Sequence, residues 1–297
     1  MTYLPSGRLP SQAEKGEWRL EGGAVTRLHP FPRMAFAFHI LGTSSSGNCS
    51  ILEAGGTRLM LDAGFQGPRL MASLEKISLE ARAIDAVLIT HEHSDHCIGL
   101  GALLRQNPLL KVFANRETAR RIKESVKADV NWQLFETGTT FEVNGLQITS
   151  IPIPHDAADP VGFAIDCPPE EGRPSKRVTW LTDLGHATTV VKHHVALADI
   201  LVLEANYDDE MLDLSKRPQS LKQRIRGNFG HLSNTQARDL LLGLKEWQTT
   251  ELYLGHLSKE CNRTIIIDEM MNEVRQRKTD LRITVVDPLE DNPVSLW

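Results

Sequence analysis

Three imidazoles and two carboxylates stand within six residues at His91-Glu92-His93-Ser94-Asp95-His96. They follow an apolar run, Ala86-Val87-Leu88-Ile89-Thr90. Groups this polar at the end of a buried strand need compensation. A divalent metal supplies it, because imidazole and carboxylate together suit zinc, manganese or iron. In an extended segment residues i and i+2 point the same way, so His91 and His93 can share one ion. Asp95 and His96 follow a turn and can face a second one.

Further donors for such a centre should sit at other strand ends. His155 follows the run Leu146–Ile153, in Ile151-Pro152-Ile153-Pro154-His155. Asp183 follows Val178-Thr179-Trp180-Leu181-Thr182, and His256 follows Glu251-Leu252-Tyr253-Leu254-Gly255. All three share one pattern: apolar strand, metal-type residue, turn. His231 differs, standing in Gly230-His231-Leu232-Ser233-Asn234 just before a helical stretch. His29, His39, His186, His193 and His194 lack the pattern. Cys97 adjoins His96, but the better ligands beside it leave it a packing role or one supporting those ligands from behind.

The elements that must position these residues can be read from pattern. Hairpins are expected at Cys49–Glu53/Thr57–Leu61 and at Thr140–Val143/146–153, around Gly55-Gly56 and Asn144-Gly145. Further strands are expected at 35–41, 85–90, 110–113, 161–166, 177–181, 200–204, 251–254 and 281–285. Helical spacing covers 67–79, 98–106, 116–126, 234–245 and 263–277. Hairpins followed by alternation, twice over, suit two mixed sheets packed face to face with helices outside. Residues 1–33, rich in Gly, Pro and charge, read as a partly flexible N-terminal extension, and 34–297 as the domain.

Composition narrows the function. The net charge is -5, which is not the basic footprint of a general nucleic-acid binder. No apolar run approaches the ~18 residues of a membrane span, and no signal-peptide core opens the chain. The four cysteines form no CxxC pair, as expected of free thiols in the cytoplasm.

The motif His91-Glu92-His93-Ser94-Asp95-His96 resembles the HxHxDH signature of the metallo-β-lactamase superfamily. Gly42–Asn48, Leu61-Asp62-Ala63-Gly64, Thr182-Asp183, Gly230–Asn234 and Gly255–Glu260 make the chain similar to the YycJ/WalJ-type branch, over about 35–285. The resemblance implies an α/β fold, an αββα sandwich of two mixed sheets flanked by helices. It implies two divalent ions, Zn2+ or Mn2+. His91, His93 and His155 would hold the first, Asp95, His96 and His256 the second, and Asp183 would bridge. Asp62 would orient ligands from behind. Leu184-Gly185-His186 departs from relatives, which often carry a small polar residue and an aromatic there.

The same resemblance implies phosphodiester hydrolysis on DNA with 5′-to-3′ exonuclease action, by a metal-bridging hydroxide. Asp95, Asp183 and His231 would be the catalytic side chains. Two dications less Asp95, Asp183 and one hydroxide leave about +1, which suits an anionic diester even on an acidic protein. His231 would contact phosphate or protonate the leaving oxygen, unless it only serves the helix start. Lys222, Arg224 and Arg226 would track the backbone, or form a solvated face. Ser44, Ser45 and Asn48 would donate to phosphate, or shape a turn. Thioester or lactone hydrolysis on the same fold is the alternative, and a non-enzymatic regulatory binder a third. An RNA-processing role is disfavoured by the short gap between Asp183 and His256.

Overall fold

The computed structural model describes residues 18–21, 24–27, 36–126, 128–169, 172, 174–290 and 293–296. The chain separates into two units, Met1–Arg33 and Met34–Trp297. In the first, β1 (Trp18–Glu21) and β2 (Ala24–Arg27) pair antiparallel. The rest of the expected extension lies outside the described residues.

The second unit holds two seven-stranded sheets. One begins with the antiparallel strands β3 (Phe36–Ser44), β4 (Gly47–Ala54) and β5 (Thr57–Leu61). It continues in parallel through β6 (Ala86–Leu88), β7 (Lys111–Asn115) and β8 (Asn131–Phe135). The other begins with antiparallel β9 (Thr140–Val143), β10 (Leu146–Pro152), β11 (Val161–Cys167) and β12 (Lys176–Leu181). It continues in parallel through β13 (Ile200–Glu204), β14 (Glu251–Gly255) and β15 (Arg282–Val285). The last strand, β16 (Val294–Leu296), returns to the first sheet and pairs antiparallel with β3. Both expected hairpins form. Asn144 and Gly145 take φ of 48° and 91°, as a tight hairpin turn requires.

One core joins the inner faces of the sheets. Phe38, Leu52, Leu61 and Leu88 from the first pack with Ile148, Phe163, Trp180 and Val202 from the second. Trp180 heads the fully buried side chains, and truncating it to Ala should cost about 3–5 kcal/mol. The helices are α1 (Gly67–Lys76), α2 (Ser94–Cys97), α3 (Leu100–Gln106) and α4 (Arg116–Ser125), followed by α5 (Thr189–Ala196), α6 (Asp209–Leu214) and α7 (Gln219–Arg226). α8 (Asn234–Gly243), α9 (Thr264–Met270) and α10 (Asn272–Arg277) are the last α-helices among the described residues. Val191, Val195, Ala237, Leu241, Ile267 and Val274 cover the outer face of the second sheet. The expected helix over 263–277 is two helices, broken at Met271. α6, α7, β8 and β16 were not expected from pattern. Among the described residues no helix is long and apolar enough to cross a membrane.

Candidate active site

The C-terminal ends of parallel strands face one another across the two sheets, and their loops carry the expected residues. β6 leads into the hexapeptide, whose second half forms the short α2. β5 leads to Asp62, β12 leads to Asp183, β13 ends in Glu204 and β14 leads to His256. Asp62, Asp183 and His256 have φ of 56°, 57° and 55°. Left-handed backbone at a non-glycine residue costs of order 1–3 kcal/mol and survives only where the surroundings fix it. Here it turns each side chain back toward the centre.

Two glycines make these turns possible. A Cβ on Gly64 would lie 1.7 Å from the Asp95 carbonyl oxygen, and one on Gly185 would lie 2.2 Å from that of Asn228. Backbone bonds then tie each turn to its neighbour. Ala63 N donates to His96 O at 2.7 Å, and Gly185 N donates to Pro154 O at 2.8 Å.

The imidazoles are set by what stands behind them. Thr90 donates its single hydroxyl hydrogen to Asp62, 3.0 Å from either oxygen. It therefore accepts from His91 Nδ1, 3.0 Å away, which leaves the lone pair on His91 Nε2. His96 Nδ1 donates to Asp62 Oδ2 at 2.8 Å, and its Nε2 faces Asp183 Oδ2 at 3.0 Å. His155 Nδ1 donates to Gly230 O at 3.2 Å. His93 Nδ1 then lies 3.0 Å from His91 Nε2 and 3.3 Å from His155 Nε2. His91 Nε2 and His155 Nε2 thus both turn lone pairs toward His93 Nδ1, whose single hydrogen can satisfy only one of them, and a divalent cation would satisfy the group.

The donor set fits divalent metal. Four groups of three could each hold an ion: His91, His93 and His155; His91, His96 and Asp183; His155, Asp183 and His231; and Glu204, His231 and His256. Asp183 Oδ2 and His256 Nδ1 are buried without a hydrogen-bond partner, although they lie 3.2 Å apart. Asp95 is the outlying member. Its carboxylate is 3.7 Å from His96 Nε2 and its side chain is 24% exposed.

Electrostatics sharpen the picture. Burial, and then the nearby His96, hold His91 well below the ordinary imidazole range. Burial opposes charge on His96 too, but Asp183 and Asp62 on its two sides outweigh it and hold the ring well above that range. Burial is likewise overcome at Asp183, which His256 and His96 hold well below the usual carboxylate range. At His231 burial yields to Glu204, with Asp183 and Asp156 adding, and its pKa rises to about 9. His231 Nδ1 donates to Glu204 Oε1 at 2.7 Å and lies 3.9 Å from Asp183 Oδ1. Glu204 is fully buried, and its other oxygen accepts from Leu184 N at 2.5 Å. Sequence reasoning missed Glu204, although it too follows an apolar strand.

Other expectations divide. Ser45 is exposed. Ser44 and Asn48 are not placed to meet a substrate from solvent: both are buried, Ser44 Oγ accepts from Ser46 N, and Asn48 Nδ2 lies 3.0 Å from His96 Nε2. Lys222 is also buried, its Nζ donating to Asp213 O at 2.6 Å, so it does not track a backbone. Arg224 pairs with Asp156 at 2.5 Å and Arg226 with Asp213 at 2.8 Å, both toward solvent. Cys97 stays a thiol, burial pushing its pKa up to about 12, and its Sγ faces the Glu92 and His93 carbonyls. His186 Nδ1 donates to Asn228 O at 3.0 Å.

Known proteins resemble this chain in sequence and in fold. Residues 57–257 match the family described as "Beta-lactamase superfamily domain". The chain is 34% identical over 248 residues to the exodeoxyribonuclease WalJ of Streptococcus pneumoniae serotype 2, covering 82% of this chain and 90% of that one. It is 29% identical to the exodeoxyribonuclease YycJ of Bacillus anthracis, covering 82% and 91%. The metallo-beta-lactamase fold protein YhfI of Bacillus subtilis superposes with a TM-score of 0.63 at 16% identity, over 88% of this chain and 99% of its own.

Proposed function

The chain belongs to the beta-lactamase superfamily, and from that premise we propose that it is a metal-dependent DNA phosphodiesterase with 5′-to-3′ exonuclease action. The observation that carries the proposal is a histidine bound to a buried carboxylate beside a cluster of metal-type donors. His231 Nδ1 donates to Glu204 Oε1 at 2.7 Å, next to the buried Asp183 Oδ2 and His256 Nδ1. The names of the WalJ and YycJ relatives supply the substrate class.

In this proposal His91, His93 and His155 would hold one ion and Asp95, His96 and His256 a second, with Asp183 as the carboxylate shared between them. Zn2+ and Mn2+ are the proposed metals. Such ions supply an activated water near neutral pH and polarise a phosphoryl oxygen. The protein does the rest. Asp62 and Thr90 fix the faces of His91 and His96, so that Nε2 points inward in each. Glu204 holds His231 by Nδ1, which leaves the Nε2 proton for the oxygen leaving phosphorus. Arg224 borders that histidine at the solvent edge, and Arg226 closes the same helix. The catalytic unit is placed in residues 34–297, and the protein in the cytoplasm, where its buried thiols stay reduced.

The test is cleavage of labelled single- and double-stranded DNA by the full chain loaded with Mn2+ or Zn2+, with metal analysis alongside. Release of nucleotides from the 5′ end is expected. Hydrolysis of a thioester or lactone, with DNA untouched under either metal, overturns the assignment.

A further inference from the structure

Between α7 and His231 the chain makes a tight turn, Gly227-Asn228-Phe229-Gly230, and the Phe229 ring stands out of it 62% exposed. Every other aromatic residue whose burial is described is buried or half-buried. The turn beneath the ring is clamped. Gly230 N donates to Gly227 O at 2.8 Å and His231 N to Ile225 O at 2.9 Å. The rings of His186 and His155 bind the Asn228 and Gly230 carbonyls at 3.0 and 3.2 Å. An aromatic side chain is thus held in water on a fixed mount, two residues from the proton donor.

The surroundings restrict what it can meet. Arg224 and Arg226 close the preceding helix, their side chains 64% and 31% exposed. The adjoining cavity, bordered by Arg217, Arg224, Gly230 and His231, measures about 170 Å³. Phe229 does not line that cavity, so a nucleobase that meets its ring lies on the surface beside it. A flat apolar face with cations beside it is how proteins hold single strands without reading sequence.

We propose that Phe229 is the stacking platform for the nucleobase adjoining the scissile phosphate, so that the enzyme grips an unpaired DNA end by base–aromatic contact. The proposal rests on the DNA-phosphodiesterase assignment above. Because every base presents a π face, the grip tolerates all four bases. Because a paired base hides its face in the helical stack, it favours single-stranded or frayed ends.

The experiment compares wild type, Phe229→Ala, Phe229→Leu and Phe229→Trp, each full length and Mn2+-loaded, on single-stranded oligonucleotides. A matched set carries an abasic site at the nucleotide whose phosphodiester is cut first. Phe229→Ala should raise KM by roughly 5- to 150-fold. Phe229→Trp should keep or improve wild-type KM, and Phe229→Leu, which lacks a π face, should resemble Phe229→Ala. The abasic substrate should cost wild type a similar factor and cost Phe229→Ala little more, since both changes remove one contact. Melting temperature and metal content should be unchanged, because the ring is exposed. Wild-type cleavage of DNA with KM indifferent to Phe229→Ala, or an equal loss on intact and abasic ends, overturns the proposal alone. Failure of wild type to cleave any DNA removes the assignment beneath it as well.

Discussion

Asp62 and Asp183 occupy the same place in the two sheets. Each follows the strand at which antiparallel pairing gives way to parallel, β5 in one sheet and β12 in the other. Each is left-handed, at φ of 56° and 57°, and each is followed after one residue by a glycine pressed on backbone. Each lies against His96, at 2.8 Å on Nδ1 and 3.0 Å on Nε2. What differs is the hydrogen bonding. Asp62 accepts from Thr90 N, from the Thr90 hydroxyl and from His96. Asp183 Oδ2 meets only imidazoles, His96 Nε2 at 3.0 Å and His256 Nδ1 at 3.2 Å. One backbone device thus serves two ends: a carboxylate held by amide, hydroxyl and ring braces that ring, and one that faces only metal-type donors is left for an ion.

Substitutions can break this contrast. The largest effect is expected from Asp183→Ala, which should lower kcat by about 10³-fold or more and release metal, as followed by metal analysis after gel filtration. Next is His231→Ala, which should lower kcat by about 10²–10⁴-fold with metal retained. Metal loss there would make His231 a ligand and not the proton donor. Glu204→Gln tests the same proton by pH. The raised pKa of His231, about 9, lies above the ~6.5 of a free imidazole. Its contribution to the stability of the metal-free protein is therefore complete below ~6.5 and lost as pH rises through about 9. The alkaline fall in kcat/KM should move to lower pH in Glu204→Gln.

Asp62→Asn should do less. Asparagine tolerates the left-handed turn, but its amide would donate toward His96 Nδ1, displacing the proton to Nε2. A loss of ~10–100-fold in metal affinity follows, measurable by chelator competition. An affinity unchanged within twofold would mean that the brace does not set the ring. The smallest effect is expected at Asp166, whose pair with Arg177 at 2.6 Å is partly solvated, the side chains 42% and 26% exposed. Asp166→Ala should change urea stability by less than ~1 kcal/mol and leave metal content alone.

Much of this was legible in sequence because the relevant signals are local. The hexapeptide is contiguous, and the strand-end pattern located His155, Asp183 and His256 without any contact information. Glu204 obeys that pattern, following Ile200–Leu203, but a glutamate closing an apolar strand carries no distinctive signal by itself. Its meaning comes from register: β13 lies between β12 and β14, with Glu204 opposite Gly255. Local pattern did not separate Asp62 from Asp183, since their difference lies in Thr90 and in the far side of His96. β16 is three residues long and exists through its pairing with β3, 256 residues from Ser295 to His39, whose ring it meets at 2.7 Å. α7 is too polar to announce itself, being set by Pro218 and a few buried contacts.

The His256 amide bonds both the carbonyl and the hydroxyl of Thr43, each at 3.1 Å, so the last strand-end residue of one sheet is pinned to the first strand of the other. The centre therefore straddles the seam of the sandwich. Its amides should exchange with solvent on the timescale of whole-domain opening and not of loop fluctuation. Ions that bind only the closed seam stabilise the entire domain by mass action. Stripping them should lower the unfolding temperature of both sheets together, in a single cooperative transition.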